Sequence, residues 1–115
     1  MRFSRACRLT RETELESLRR TGKRMQTECL EARIAASLFL YPRVGIVVPK
    51  YGQDIVGRNR IKRRLRELTR LRALPVIGRV DLLLRAKRTA YGSSFGQLRT
   101  EVDAIVSWAL ETARQ

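Results

Sequence analysis

Histidine is absent from these 115 residues, and with it the side chain that most often moves protons near neutral pH or ligates zinc. Cysteine occurs twice, as Cys7 and Cys29, too few and too far apart for a zinc site; in a reducing compartment the two read as small buried hydrophobes and not as a bridge. Acidic residues number only 11, and the three aspartates, Asp54, Asp81 and Asp103, are scattered, so no paired carboxylates for acid–base work and no metal–carboxylate cluster are visible. No stretch approaches the roughly 20 apolar residues of a membrane span, and the opening MRFSRACRLT lacks the apolar centre of a secretory signal. The expectation is a cytoplasmic protein with no catalytic residue, no metal site and no membrane contact.

What the chain has in excess is arginine. Of 25 basic residues only Lys23, Lys50, Lys62 and Lys87 are lysines, leaving 21 arginines in a chain with a formal net charge of +14 and a pI near 11.4. The guanidinium is a planar fork that grips phosphate through two hydrogen bonds and stacks on bases, so a nucleic acid is favoured over a membrane surface as the polyanionic partner. The length and the 43% hydrophobic content suit one domain over residues 1–115, with residues 1–9 expected to stay loose until bound.

Thr10 is placed to cap a first helix with Glu12 and Glu14 in its opening turn and Gly22 at its stop. Alternation in ECLEARI and RVGIVVPK predicts two strands. Leu30, Ala32, Ile34, Val44, Ile46 and Val48 then face the core, and Glu31, Arg33, Gly45, Val47 and Pro49 lie on an outer, small-featured face. Asp54 is placed to cap a second helix ending near Pro75 and Gly78. RVDLLLRA, apolar nearly throughout, reads as a central strand. Ser94 and Gln97 have capping-box spacing ahead of a last helix with Phe95, Leu98, Val102, Ile105 and Ala109 on one face. The element order is αββαβα.

The densest charge lies on the second helix. GRNRIKRRLREL puts six cations and one asparagine into positions 58–66. On a helical wheel Ile61, Leu65 and Leu68 form a stripe only about 60° wide, while Arg58, Lys62 and Arg66 run down one flank with Asn59 and Arg63 beside them. Solvated helices usually interleave glutamates at i,i+4, and here only Glu67 is available, so the like-charge cost is reasonable if phosphates neutralise it. Asn59 can both donate and accept, which suits a base edge, a 2′-hydroxyl or a metal-bound water.

RVGIVVPK followed by VGRNRIKRRLREL resembles the protein component of bacterial ribonuclease P, whose signature is an Arg-Asn-Arg motif on a helix after an RVG strand. The resemblance extends to the helix ending at Gly22 and the late DLLLRA strand, and so covers nearly the whole chain. It implies an α/β fold, an α+β sandwich around a central sheet, whose βαβ crossover is left-handed against the usual rule. It also implies a non-catalytic subunit of an RNA enzyme that removes the 5′ leader of precursor tRNA, the RNA requiring Mg2+ and no further protein partner being obligatory. The catalytic RNA would be bound by Lys50, Arg58, Asn59, Arg60, Lys62, Arg63 and Arg66. The leader would lie in a groove touching Leu15, Arg19, Arg33, Val47 and Pro49.

Several of these positions depart from the family pattern. Leu15 and Arg19 stand where aromatics are common, Glu31 and Arg33 where aliphatic and aromatic residues are common, Pro49 replaces a small hydroxyl residue and Tyr51 a second lysine. Glu31 would repel a phosphate chain unless Arg33 or Arg19 pairs with it. A structural RNA-binding protein of the ribosome and a DNA-binding module with its basic helix in a major groove are the alternatives; neither explains the RVG strand and the Arg-Asn-Arg helix together.

Overall fold

The computed structural model describes residues 5–113. Three α-helices, α1 (Glu12–Thr21), α2 (Ile55–Leu68) and α3 (Phe95–Ala113), pack on a four-stranded sheet of β1 (Lys23–Gln26), β2 (Leu30–Ala36), β3 (Arg43–Val47) and β4 (Val80–Ala86). The strand order is β1-β2-β4-β3, with β3 and β4 parallel and the other pairs antiparallel. β4 is therefore central, as its apolar run indicates. β3 and β4 are joined through α2, the crossover to which the family resemblance assigns the left hand.

β1 is an addition to the expected order. KRMQ has one apolar residue and is exposed on nearly its whole length, because an edge strand with one open face needs little hydrophobic surface; its register on β2, Lys23 opposite Ile34 and Gln26 opposite Glu31, fixes it instead.

Alternation correctly divides the sheet. Leu30, Ala32, Ile34, Val44 and Val48 are buried beneath α2 and α3 together with Leu82, Leu84, Ile61, Leu65, Leu98, Val102 and Ile105; Ile46, on the edge strand, is half-buried. Phe95, expected on the buried face of α3, is 40% exposed, since it occupies the first helical turn beyond the edge of the core. Cys29 is buried and Cys7 half-buried, and both are free thiols. On the opposite face α1 covers part of the sheet through Leu18, which packs with Leu9 and Leu83, and through Leu15.

Helix ends show where local rules hold. Asp54 Oδ1 accepts a 2.7 Å hydrogen bond from Gly57 N–H and starts α2. Ser94 Oγ accepts from Gln97 N–H at 3.0 Å, but the Gln97 amide turns to Glu28 and Glu101 and leaves the capping box half made. Thr10 is not the cap of α1: the position falls to Arg11, without a side-chain cap, because the preceding residues are drawn onto the sheet. Leu9 N–H donates to Val44 O at 2.9 Å and Leu9 is buried, so residues 8 and 9 lie against the sheet; residues 1–4 of the segment expected to be loose lie outside the described residues. Gly45 makes this approach possible, since a Cβ there would stand 2.8 Å from Leu9 O and 2.9 Å from Leu15 Cδ2. The run after α2 continues as a π-helical turn, Thr69–Ala73, and closes before Gly78, which holds a φ of 71°.

Candidate RNA interface and groove

α2 docks by the narrow seam its sequence describes. Ile61, Leu65 and Leu68 are buried, and so is Gly57, where a Cβ would stand 3.1 Å from the capping Asp54 Oδ1. Asn59, Arg60, Arg63 and Arg66 are exposed, and Arg58, Lys62 and Arg64 are half-buried. Among the described residues none of the six cations from Arg58 to Arg66 has a carboxylate within ion-pair distance. The helix's only acid, Glu67, pairs with Arg70 in the next turn. Burial, and then the repulsion of Arg58 and Arg66, push the Lys62 amine below the usual lysine range. An anion placed here gains from relieving that repulsion.

Arg58 does two jobs. Its Nε donates to Val48 O at 2.8 Å, tying the start of α2 to the end of β3, and only the rest of the guanidinium is left for a ligand. Lys50 is exposed in the turn just before, where Tyr51 takes a φ of 49°, a left-handed conformation unusual for a non-glycine residue. The Tyr51 ring meets Tyr91 edge-on, and the Arg88 guanidinium lies 5.3 Å from its centroid, adding a cation beside the α2 N-terminus. Tyr91 in turn donates to Pro49 O at 2.6 Å.

On the open face, strand register sets Gln26, Glu31, Arg85 and Val47 in one row and Arg24, Arg33, Leu83 and Gly45 in the next. Arg19, Glu31, Arg33, Val47, Leu83 and Arg85 line a groove of about 230 Å³ between α1 and these rows. The groove thus gathers Arg19, Arg33 and Val47 of the five expected residues. Leu15 packs over Gly45 and lines a second groove with Lys62 and Arg66, and Pro49 lies past the end of β3 and lines neither. Glu31 is neutralised by Arg24 at 3.4 Å and Arg33 at 3.5 Å, whereas Arg19 pairs with Glu16. Arg33 Nε is buried and its contact with Glu31 is too poorly aligned for a hydrogen bond, so this guanidinium keeps an unmet donor at the groove.

A family model described as Ribonuclease P matches residues 3–109. The chain belongs to the ribonuclease P protein family. It is 33% identical over 112 residues to the ribonuclease P protein component of Roseiflexus sp., covering 96% of this chain and 88% of that protein. The component of Syntrophobacter fumaroxidans is 39% identical over 70 residues, 61% of this chain and 59% of its own. The fold of this chain is similar to that of the Staphylococcus aureus RNase P protein, with a TM-score of 0.83 at 21% identity, covering 91% of this chain and 96% of that one.

Against the ribonuclease P reading of the sequence, the structure adds Leu83 and Arg85 to the groove. Their signal was present in the alternation of VDLLLRA, where Asp81, Leu83 and Arg85 share one face, but the strand's near-continuous apolar character hides it. Among the described residues no group of three potential metal-ligating side chains occurs, and no helix is long and apolar enough to cross a membrane.

Proposed function

We propose that this chain is the protein subunit of a ribonuclease P ribonucleoprotein, with α2 bound to the catalytic RNA and the open-face groove holding the 5′ leader of precursor tRNA. The observation that carries the reading is the row of six cations on α2 that, among the described residues, have no carboxylate within ion-pair distance, although Arg19, Arg24, Arg33, Arg43, Arg70 and Arg72 elsewhere in the chain each have one. Each exposed guanidinium that meets a phosphate releases condensed counterions, and that release drives association of two highly charged molecules. Asn59, exposed between Arg58 and Arg60, supplies the donor–acceptor pair that phosphate contacts lack.

In this reading hydrolysis of the phosphodiester belongs to the RNA and the Mg2+ it binds. The protein screens the repulsion between catalytic RNA and substrate and fixes the leader's position. Arg19, Arg33 and Arg85 face a leader phosphate, while Val47 and Leu83 floor the groove without selecting a base.

Reconstitution tests this. Purified RNA-free protein should leave precursor tRNA intact in the presence of magnesium, whereas adding it to a bacterial ribonuclease P RNA at low magnesium should raise 5′ cleavage. Specific 5′ maturation by the protein alone, or no enhancement of the RNA's activity, would contradict the proposal.

A further inference from the structure

The connection between β2 and β3 belongs to neither α2 nor the groove, yet it carries the two most exposed large apolar side chains described, Leu38 at 94% and Leu40 at 80%, with Phe39 between them at 43%. This segment is not loose in its placement. Ser37 N–H donates to Arg79 O at 3.0 Å, and Phe39 N–H donates to Ser37 Oγ at 3.1 Å. At its far end the Arg43 guanidinium, clamped by Asp81 and Glu14, lies 4.7 Å from the Phe39 ring centroid. Phe39 and Tyr41 stack at 5.3 Å with their planes 24° apart. Phe39, 43% exposed, is thus held between a fixed cation and a stacked, half-buried Tyr41 ring, and part of the pair's aromatic surface is open to solvent.

We propose that the Phe39–Tyr41 pair is a stacking platform for an unpaired RNA nucleobase, a contact site separate from the groove and from α2. This rests on the reading of the chain as an RNA-binding subunit. A planar base can stack on the exposed part of this aromatic pair, whereas an aliphatic partner would not use the rings' geometry. A second copy of this chain is disfavoured as occupant, because two molecules of net charge +14 repel. An RNA brings its own negative charge to the same place, and stacking accepts any base. The site lies at the Glu14 end of α1, where that residue meets Arg43, while Arg19 lines the groove further along the helix. It therefore serves a different nucleotide from those the groove holds.

Photo-crosslinking of the full chain to a 5-iodouridine-substituted oligouridylate tests the site, because an iodinated base joins efficiently to an aromatic ring stacked on it. After trypsin, the peptide spanning residues 34–43 should carry the RNA adduct at Phe39 or Tyr41. Tyr41→Leu should cut that adduct about tenfold, the scale of one lost stacking contact, while leaving adducts on α2 peptides unchanged. The crosslink on the unmodified protein stands whether or not the variant folds. Adducts confined to α2 and groove peptides would overturn the platform and leave the subunit reading intact. No adduct anywhere would overturn both. A dimer in sedimentation that Tyr41→Leu dissolves would also overturn it, assigning the loop to a second copy.

Discussion

Arg43 and Asp81 face each other across the parallel β3–β4 pair in a two-pronged ion pair, Nε to Oδ1 at 3.0 Å and Nη2 to Oδ2 at 2.7 Å. The remaining guanidinium nitrogen reaches Glu14 of α1 at 2.6 Å, so one buried cation fastens edge strand, central strand and the open-face helix together. The carboxylate partners, Asp81 first, drive the Arg43 pKa above the ordinary arginine range, and the charge persists at every accessible pH.

Removing Asp81 leaves that charge short of a partner in a site where its side chain is only 10% exposed. Asp81→Ala should lower the unfolding free energy by about 3 kcal/mol, seen in urea titration as a lower midpoint with an unchanged slope. Asp103→Ala, which breaks the exposed pair with Arg72, should change stability little. Equal effects from the two substitutions would show that Arg43 does not act as the buried fastening.

Glu101 gives a pH prediction. Burial pushes its pKa up, but the hydrogen bonds it accepts from the Thr27 hydroxyl, from Cys29 N–H at 2.9 Å and from Gln97 outweigh this and hold it below the usual glutamate range. A carboxylate depressed in the folded state stabilises the protein above its unfolded pKa and loses that contribution as the pH falls through the folded value. The stability gap between the natural protein and Glu101→Gln should therefore be widest near neutrality and close with acid below the ordinary glutamate range. A gap independent of pH would contradict the assignment.

How much of this was legible depended on whether the signal was local. Ile61, Leu65 and Leu68 mark the docking seam of α2 by spacing alone, and Asp54 marks its start, because both effects act within a few residues. Arg85 and Leu83 were missed as groove residues because their face is set by pairing with Glu31, Arg33, Gly45 and Val47, which sequence does not display. β1 was missed because an edge strand can be polar. Thr10 lost its cap to a contact between Leu9 and Val44, residues 35 positions apart. The family resemblance supplied what spacing could not, including the groove; of the five residues it names, Arg19, Arg33 and Val47 line one groove, Leu15 lines the neighbouring one and Pro49 lines neither.

The groove assignment has its own test. Arg33→Ala and Arg85→Ala should each weaken binding of precursor tRNA to the holoenzyme by about 1.5 kcal/mol, roughly tenfold, the scale of a charged hydrogen bond. Affinity for mature tRNA, which lacks the leader, should stay as it was, and so should affinity for the catalytic RNA. Unchanged preference for precursor over mature tRNA would place the leader elsewhere.

The most direct measurement is the salt dependence of affinity for the catalytic RNA. Arg63 and Arg66 are exposed on α2 and make no contact that holds the fold, unlike Arg58 with its bond to Val48 O. In the Arg63→Ala, Arg66→Ala double variant the slope of log affinity against log salt should flatten by about two units. Arg20→Ala, Arg99→Ala removes the same charge from exposed positions on α1 and α3 and should leave the slope nearly unchanged. An unaltered slope in the α2 variant, or equal flattening in both, would contradict the placement of the RNA on this helix.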